Sequence, residues 1–571
     1  MKAASCRALV GVALAFVVFA NVAPAAVPAP PPAEAFGALP QVSDVVLSPN
    51  GNLLAWHDRS GPEPRIVFFD ITTQKYRRMA RIPPDVTPRR LDWVDDETLL
   101  ITCWMDWHGL DIRAQALRVL ATDVGGGDTR VLMHEGVGPY FNVRAVVAVR
   151  TPKPKAVLLS GWASRGKARL FEVDTRTGEA TMVEPGSEFT REWVVDANAQ
   201  AVARSEWLPA SSVYRVLAKR DSEWHEIFRQ KGLGGLWLYG RSADGRAVIA
   251  SGAMGADSDR LLAVALDGSG IRTLVEDPVN MAWDVIHDHI TGLPVAAQLG
   301  GLEQPVRWLD AQAERRFQSL AQSFPGRRVS VSGESDNRQR LVAAVDGPAG
   351  PRVFYLVDFS THKADIIGEA YPALANANLG EARTLTYKAR DGLAIPAYLT
   401  LPPGSTGRKL PVVILPHGGP NSRDEYEFHW LAQFLAVRGF AVLQPQFRGS
   451  IGFGRKLELA GDRQWGRLMQ DDLSDGVKAL MEQGVAEAGR VCIVGDGPYA
   501  GFAALAGAAL TPELYACAVS VDGVSDASRY YGYVSTHTEG SDVVYRLRDF
   551  IGSPSDAQLI AKSPLRNADH V

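Results

Sequence analysis

Residues able to do chemistry gather in the last third of the chain. His417-Gly418-Gly419-Pro420 follows the apolar run LPVVILP, and Arg448 lies in the stretch FRGSIGFGR. Gly495-Asp496-Gly497-Pro498-Tyr499-Ala500 sits between the strand-like RVCIV and the small-residue, helix-like GFAALAGAAL. A glycine-rich turn that opens a helix presents backbone N–H groups without intrahelical acceptors, so it suits an oxyanion, a phosphate or an exposed nucleophile. The segment GDGPYA also fits G-x-G-x-x-A, and Asp522 ends the next strand-like run, which is the outline of a dinucleotide site. Against that reading, Pro498 removes an N–H where a pyrophosphate needs one. Asp496 as a carboxylate nucleophile is disfavoured, because Val494 and Pro498 stand where an elbow requires small residues. Asp496 instead reads as the helix cap, with Pro498 in the first turn. Cys103, Cys492 and Cys517 have no zinc spacing to histidine and read as buried free thiols, so neither metal nor cofactor is implied.

The elements that hold these residues change period along the chain. After Ile367, strand-like runs alternate with helical ones: LTYKARDGLAIPAYLTLP as a hairpin around Asp391-Gly392, then LPVVILP, WLAQFLAVRGF, AVLQPQ, DDLSDGVKALMEQGV, RVCIV, GFAALAGAAL and ACAVSVDG. Such alternation predicts a mainly parallel sheet covered on both faces. From Val42 to Ile367 an apolar run ending in aspartate recurs, at Asp70, Asp123, Asp174, Asp221, Asp267, Asp310 and Asp358, with steps of 43 to 53 residues. Seven units of this length fit the four-stranded blades of a β-propeller, a β-sandwich array being the alternative. The aspartates lack a metal-loop pattern and read as hairpin residues.

Lys2 and Arg7 precede a short apolar run, Ala8 to Ala20, and Ala23-Pro24-Ala25 offers a cleavage site. This reads as an export signal rather than a membrane anchor, giving a periplasmic or secreted protein with no stable membrane span after cleavage. The expected organisation is a signal peptide over 1–25, a Pro/Ala-rich linker over 26–41, a propeller over 42–375 and an α/β domain over 376–571. The net charge of −4 carries no basic excess, which argues against nucleic acid as a partner.

HGGP, FRGSIGFGR and QWGRLMQDDLSDGV, in this order, resemble the catalytic domain of the prolyl oligopeptidase family of serine peptidases, most of all its acylaminoacyl-peptidase-like branch. The resemblance implies a seven-bladed β-propeller followed by an α/β-hydrolase domain. It also implies a nucleophilic serine in the elbow, but that position falls at Gly497 or Pro498. The family's acid and base lie on later strands, as G-x-x-D and a late histidine. This chain has only His537 and His570 beyond the elbow, and Asp522 as an acid has nothing to orient. The α/β-hydrolase domain is therefore expected to be incomplete, with ACAVSVDG at an open sheet edge through which chains could associate. The resemblance places oxyanion donors in the His417-Gly418-Gly419 loop and at the Tyr499 backbone, and makes Arg448 either a substrate clamp or a structural arginine. No adjacent Glu-Glu pair occurs, which weighs against the dipeptidyl branch. The expectation is an exported peptidase relative without a serine triad. Its alternatives are a peptide-binding protein without turnover and a hydrolase of a different mechanism.

Overall fold

Each of the seven recurring aspartates stands at, or within two residues of, the end of the third strand of a sheet. A computed structural model describes residues 29–571 apart from 110–111, 134–142, 164–166, 233–234, 278–279 and 538–547. The signal-peptide reading lies outside the described residues. From Val42 to Glu369 the chain forms seven antiparallel sheets in sequence order, six of four strands and one of three. They make a seven-bladed β-propeller.

The aspartates act as turn residues because a short carboxylate reaches the N–H groups two and three positions on. Asp70 accepts from the amides of Thr72 and Thr73 at 2.9 Å each, and Asp358 accepts from Ser360 and Thr361. Asp310 makes the same bonds, from Gln312 and Ala313 at 2.9 and 2.7 Å, but caps the helix Ala311–Gln322 instead of closing a hairpin. The hairpin reading is thus corrected at Asp310. The helix stands where the sixth blade's fourth strand would be.

The blades are contiguous in sequence, so no strand is shared where the ring closes. The first and last blades meet through an apolar seam that includes Val45, Leu47, Val67, Val342 and Phe354. Hydrogen bonds add to it, among them Ser332 Oγ to Val45 O, Asp336 N to Pro49 O and Arg340 Nη1 to Gly51 O, at 2.6, 2.7 and 2.9 Å.

The second half carries a six-stranded sheet in the order Glu381–Lys388, Ala394–Leu401, Ala441–Pro445, Leu410–Ile414, Ala486–Asp496, Cys517–Val521. The first three strands pair antiparallel and the last three pairings are parallel. Strand Leu410–Ile414 connects onward to its neighbour on one side and the adjacent strand Ala486–Asp496 connects onward on the other, so the connections leave this pair toward opposite sides. A crevice therefore opens at the carboxyl ends of these strands, where α/β folds place their sites. This is an α/β-hydrolase-like region. Its last strand has exposed Val519 and Val521.

Two sequence expectations are corrected here. Cys492 and Cys517 are not free thiols: they face each other in register on neighbouring parallel strands, with Cα atoms 4.7 Å apart, and form a disulfide. Cys103 is a buried free thiol, and burial pushes its pKa up to about 11. The stretch read as linker contains the helix Ala33–Gly37, whose Phe36 is buried edge-on against Phe434 of the second half. Arg438 donates to Pro31 O at 3.0 Å and stacks over Phe434. The sequence preceding the propeller is thus tied to the hydrolase-like region.

Candidate functional site

The crevice is built from three turns that follow parallel strands. Strand Ala486–Asp496 runs into Gly497, and the helix Pro498–Leu510 begins at once. Gly497 has φ 90°, which glycine adopts without penalty. Helix and strand pack closely because Gly495 has no side chain: a β-carbon there would fall 1.9 Å from Ala500 O. Pro498 takes the first helical position, as its fixed φ favours. Asp496 does not cap this helix, contrary to the sequence reading. Gly497 occupies the cap position with no side-chain bond, and Asp496 is exposed.

At the serine position the turn presents no nucleophilic side chain. The Gly497 N–H is occupied, donating to Val521 O at 3.0 Å. Gly501 N–H donates to Gly497 O, so Tyr499 and Ala500 are the helix-opening donors left without intrahelical acceptors. A dinucleotide would need more donors than this turn offers. Asp522 stands exposed just beyond strand Cys517–Val521 with φ 51°. The carboxylate that caps the next helix is Asp526, which accepts from the Ser528 and Arg529 amides at 3.1 Å.

The loop with His417, Gly418 and Gly419 reaches the same crevice: a β-carbon on Gly418 would lie 4.0 Å from Asp496 O. The His417 side chain points inward. It is buried, stacks on Phe447 at 4.3 Å, and bonds Gly418 O through Nδ1 at 2.8 Å and Ser450 Oγ through Nε2 at 2.7 Å. A carbonyl only accepts, so Nδ1 carries the proton and Nε2 accepts from the serine. Burial pushes the imidazole down to about 4, keeping it neutral. Sequence reasoning missed this serine–histidine pair. Ser450 is wholly buried, so the pair fixes the loop's shape and meets no substrate. Tyr499 likewise contributes only its backbone to the crevice. Its ring is buried against Phe447 and Trp465, at 5.2 and 4.9 Å.

Arg448 is not placed as a substrate clamp. It is 3% exposed, and its Nε and Nη2 donate to the two Asp472 oxygens at 2.8 and 2.7 Å. Nη1 donates to Asp391 at 2.9 Å. Burial alone would lower its pKa, but the two carboxylates reverse this and raise it. The same logic governs Asp475, which accepts from the Arg390 amide and guanidinium. The acidic start of DDLSDGV thus serves as a set of arginine acceptors.

Comparison with known proteins fits this geometry. Residues 426–545 match the description "Prolyl oligopeptidase family". Over those residues the chain resembles a prolyl oligopeptidase family domain. Dipeptidyl aminopeptidase BIII of Pseudoxanthomonas mexicana is 28% identical over 452 residues, covering 76% of this chain and 64% of that protein. This chain therefore spans somewhat under two thirds of that relative's length. Acylamino-acid-releasing enzyme of Sus scrofa is 33% identical over 139 residues, 24% of this chain and 19% of the relative. In fold, the chain resembles a puromycin-hydrolyzing peptidase of Mycobacterium tuberculosis, with TM-score 0.66 and 17% identity over 95% of this chain and 86% of the other. Pyrococcus horikoshii acylaminoacyl peptidase gives 0.62 and 16% over 95% and 86%. A dipeptidyl aminopeptidase and an acylamino-acid-releasing enzyme are thus both among the similar proteins.

Proposed function

We propose that this chain is an exported, peptide-binding member of the prolyl oligopeptidase family that does not cleave peptides by a serine mechanism. One observation carries the reading: the turn that would bear the nucleophile is Gly497-Pro498. Acyl transfer requires a nucleophile activated by a base. Among the described residues the serine–histidine pair near the crevice is Ser450–His417, which is shut away from ligand. The backbone donors of Tyr499, Ala500 and the Gly418-Gly419 turn favour an anionic or carbonyl oxygen, so a peptide carbonyl or terminal carboxylate is the ligand group that suits the crevice. A dinucleotide is disfavoured by the Pro498 and Gly497 positions.

The purified chain should leave acyl-peptide and peptidyl chromogenic substrates uncleaved and should not be labelled by a fluorophosphonate probe. Pro498→Ser should not restore labelling, because the triad works as a unit and the substitution supplies no base or acid. Binding is read separately, by calorimetry with short peptides. Turnover that copurifies with the chain and is lost in Asp496→Ala would overturn the reading and support a carboxylate nucleophile.

A further inference from the structure

We propose that the Cys492–Cys517 bridge is a thiol-exchange site, opened in the folded protein by a dithiol that attacks Cys517, and that its opening unpins the crevice turn at Gly497. Parallel strands are ordinarily covered on both faces. Strand Cys517–Val521 is not. It ends the sheet and packs on helix Pro498–Leu510 with one face, while Cys517, Val519 and Val521 share the other face and are all exposed. Cys492 lies one strand inward. It is half-buried against the apolar group of Val413, Leu415 and Ala432. The bridge therefore meets solvent through Cys517.

Exposure decides which sulfur an incoming thiolate reaches. The thiolate forms a bond to Cys517 Sγ as the Cys492–Cys517 bond breaks, and the electron pair leaves on Cys492 Sγ, which takes up a proton. The second thiol of the reagent then loses its proton and attacks the sulfur already attached to Cys517. The reagent departs as its cyclic disulfide, oxidised by two electrons, and Cys517 Sγ takes up the second proton. Cys103 does not compete as a nucleophile, because it is buried and burial raises its pKa.

The bridge stands four positions before the crevice on both strands. The register runs from Cys492 opposite Cys517 to Asp496 opposite Val521 without a shift. At its end Val521 O accepts the Gly497 N–H at 3.0 Å, and Val524 N–H donates to Pro498 O at 3.1 Å. A β-carbon on Gly501 would fall 2.5 Å from Gly523 Cα, so the helix start rests directly on the chain that leaves the strand. The turn is thus held by the strand that the bridge staples. That strand is an edge: among the described residues no strand pairs with its outer side. While bridged, a strand that peels away stays tied to Cys492 and gains little freedom. Once reduced it gains the freedom of an open chain, so peeling becomes more frequent. Gly497 N–H then loses its acceptor, and the Tyr499 and Ala500 donors lose the contact that directs them. The inference does not depend on whether the crevice holds a ligand.

The first test counts thiols released from the full chain by dithiothreitol. Reduction should be first order in dithiothreitol and should change by less than about two-fold on adding about 1 M urea. A rate that levels off with dithiothreitol, or climbs with urea as unfolding does, would mean that the bridge opens only in the unfolded chain and would sink the proposal. A brief exposure to glutathione, quenched with iodoacetamide, should place glutathione on Cys517 and the alkyl group on Cys492, in preference of about ten-fold or more. An even or reversed split would overturn attack at Cys517. Amide exchange at Gly497 should quicken about ten- to a hundred-fold on reduction. Leu415 N–H, bonded to Leu443 O inside the sheet, should keep its rate. Cys492→Val combined with Cys517→Val should exchange at the fast rate with or without dithiothreitol. Unchanged exchange at Gly497 in the reduced chain would rule out the coupling to the turn.

Discussion

Arg448 and Ser450 lie two positions apart in one turn and show how a family-like stretch can be structural throughout. Arg448 satisfies Asp472, a carboxylate with no exposed surface. Arg448→Met should destabilise the chain by about 3–5 kcal/mol in urea unfolding, because it leaves that charge buried and alone. Adding Asp472→Leu should return much of the loss, whereas a substrate clamp would show no such rescue. The sequence carried the types of these residues but not their direction. Phe447-Arg448-Gly449-Ser450 reads equally well as a ligand loop, and only the burial of Asp472 and Ser450 decides against it. Likewise, nothing in HGGP says that the His417 ring turns inward; that follows from Phe447 and Ser450 waiting behind it.

Strands and turns were more legible than their pairings. Aspartate spacing gave seven blades because each blade needs the same hairpin bond. It misread the sixth because a carboxylate that accepts from positions two and three on caps a helix just as well. The run AQAERRFQSLAQ after Asp310, rich in helix formers, was the signal that separates the two. The disulfide was hidden for a similar reason. The three cysteines that follow the N-terminal apolar run give no pairing pattern, and only the parallel register sets Cys492 opposite Cys517. This bridge closes a loop of 25 residues at the sheet's last described strand. Reduction, or Cys517→Ser, should lower unfolding free energy by about 3 kcal/mol, read by urea titration with and without dithiothreitol. Equal midpoints in both conditions would mean that the bridge does not form in solution.

The two halves of the molecule are joined by more than the chain that connects them. Gln433 is the centre of that joint. Its side chain accepts from Gly380 N at 2.7 Å and donates to Gly380 O and to Pro348 O, at 3.1 and 2.8 Å. Composition alone suggests an easily cut connection near residues 376–381, but these bonds pin it. Limited proteolysis should therefore be slow there in the native chain and several-fold faster in Gln433→Ala, with a fragment of propeller size accumulating. Equal rates would show that the connection is protected by something other than Gln433.

The unshared seam between the first and seventh blades also has a mechanical consequence. Pulled from its two ends, the propeller has no strand that must be drawn across the ring before anything yields. Force would reach the seam, break its few lateral bonds, and then peel blades off one after another from either side. Each blade would release on the order of 150 Å of chain, given its length of some 43 to 53 residues. The extension trace should be a staircase of near-equal steps rather than one abrupt rupture.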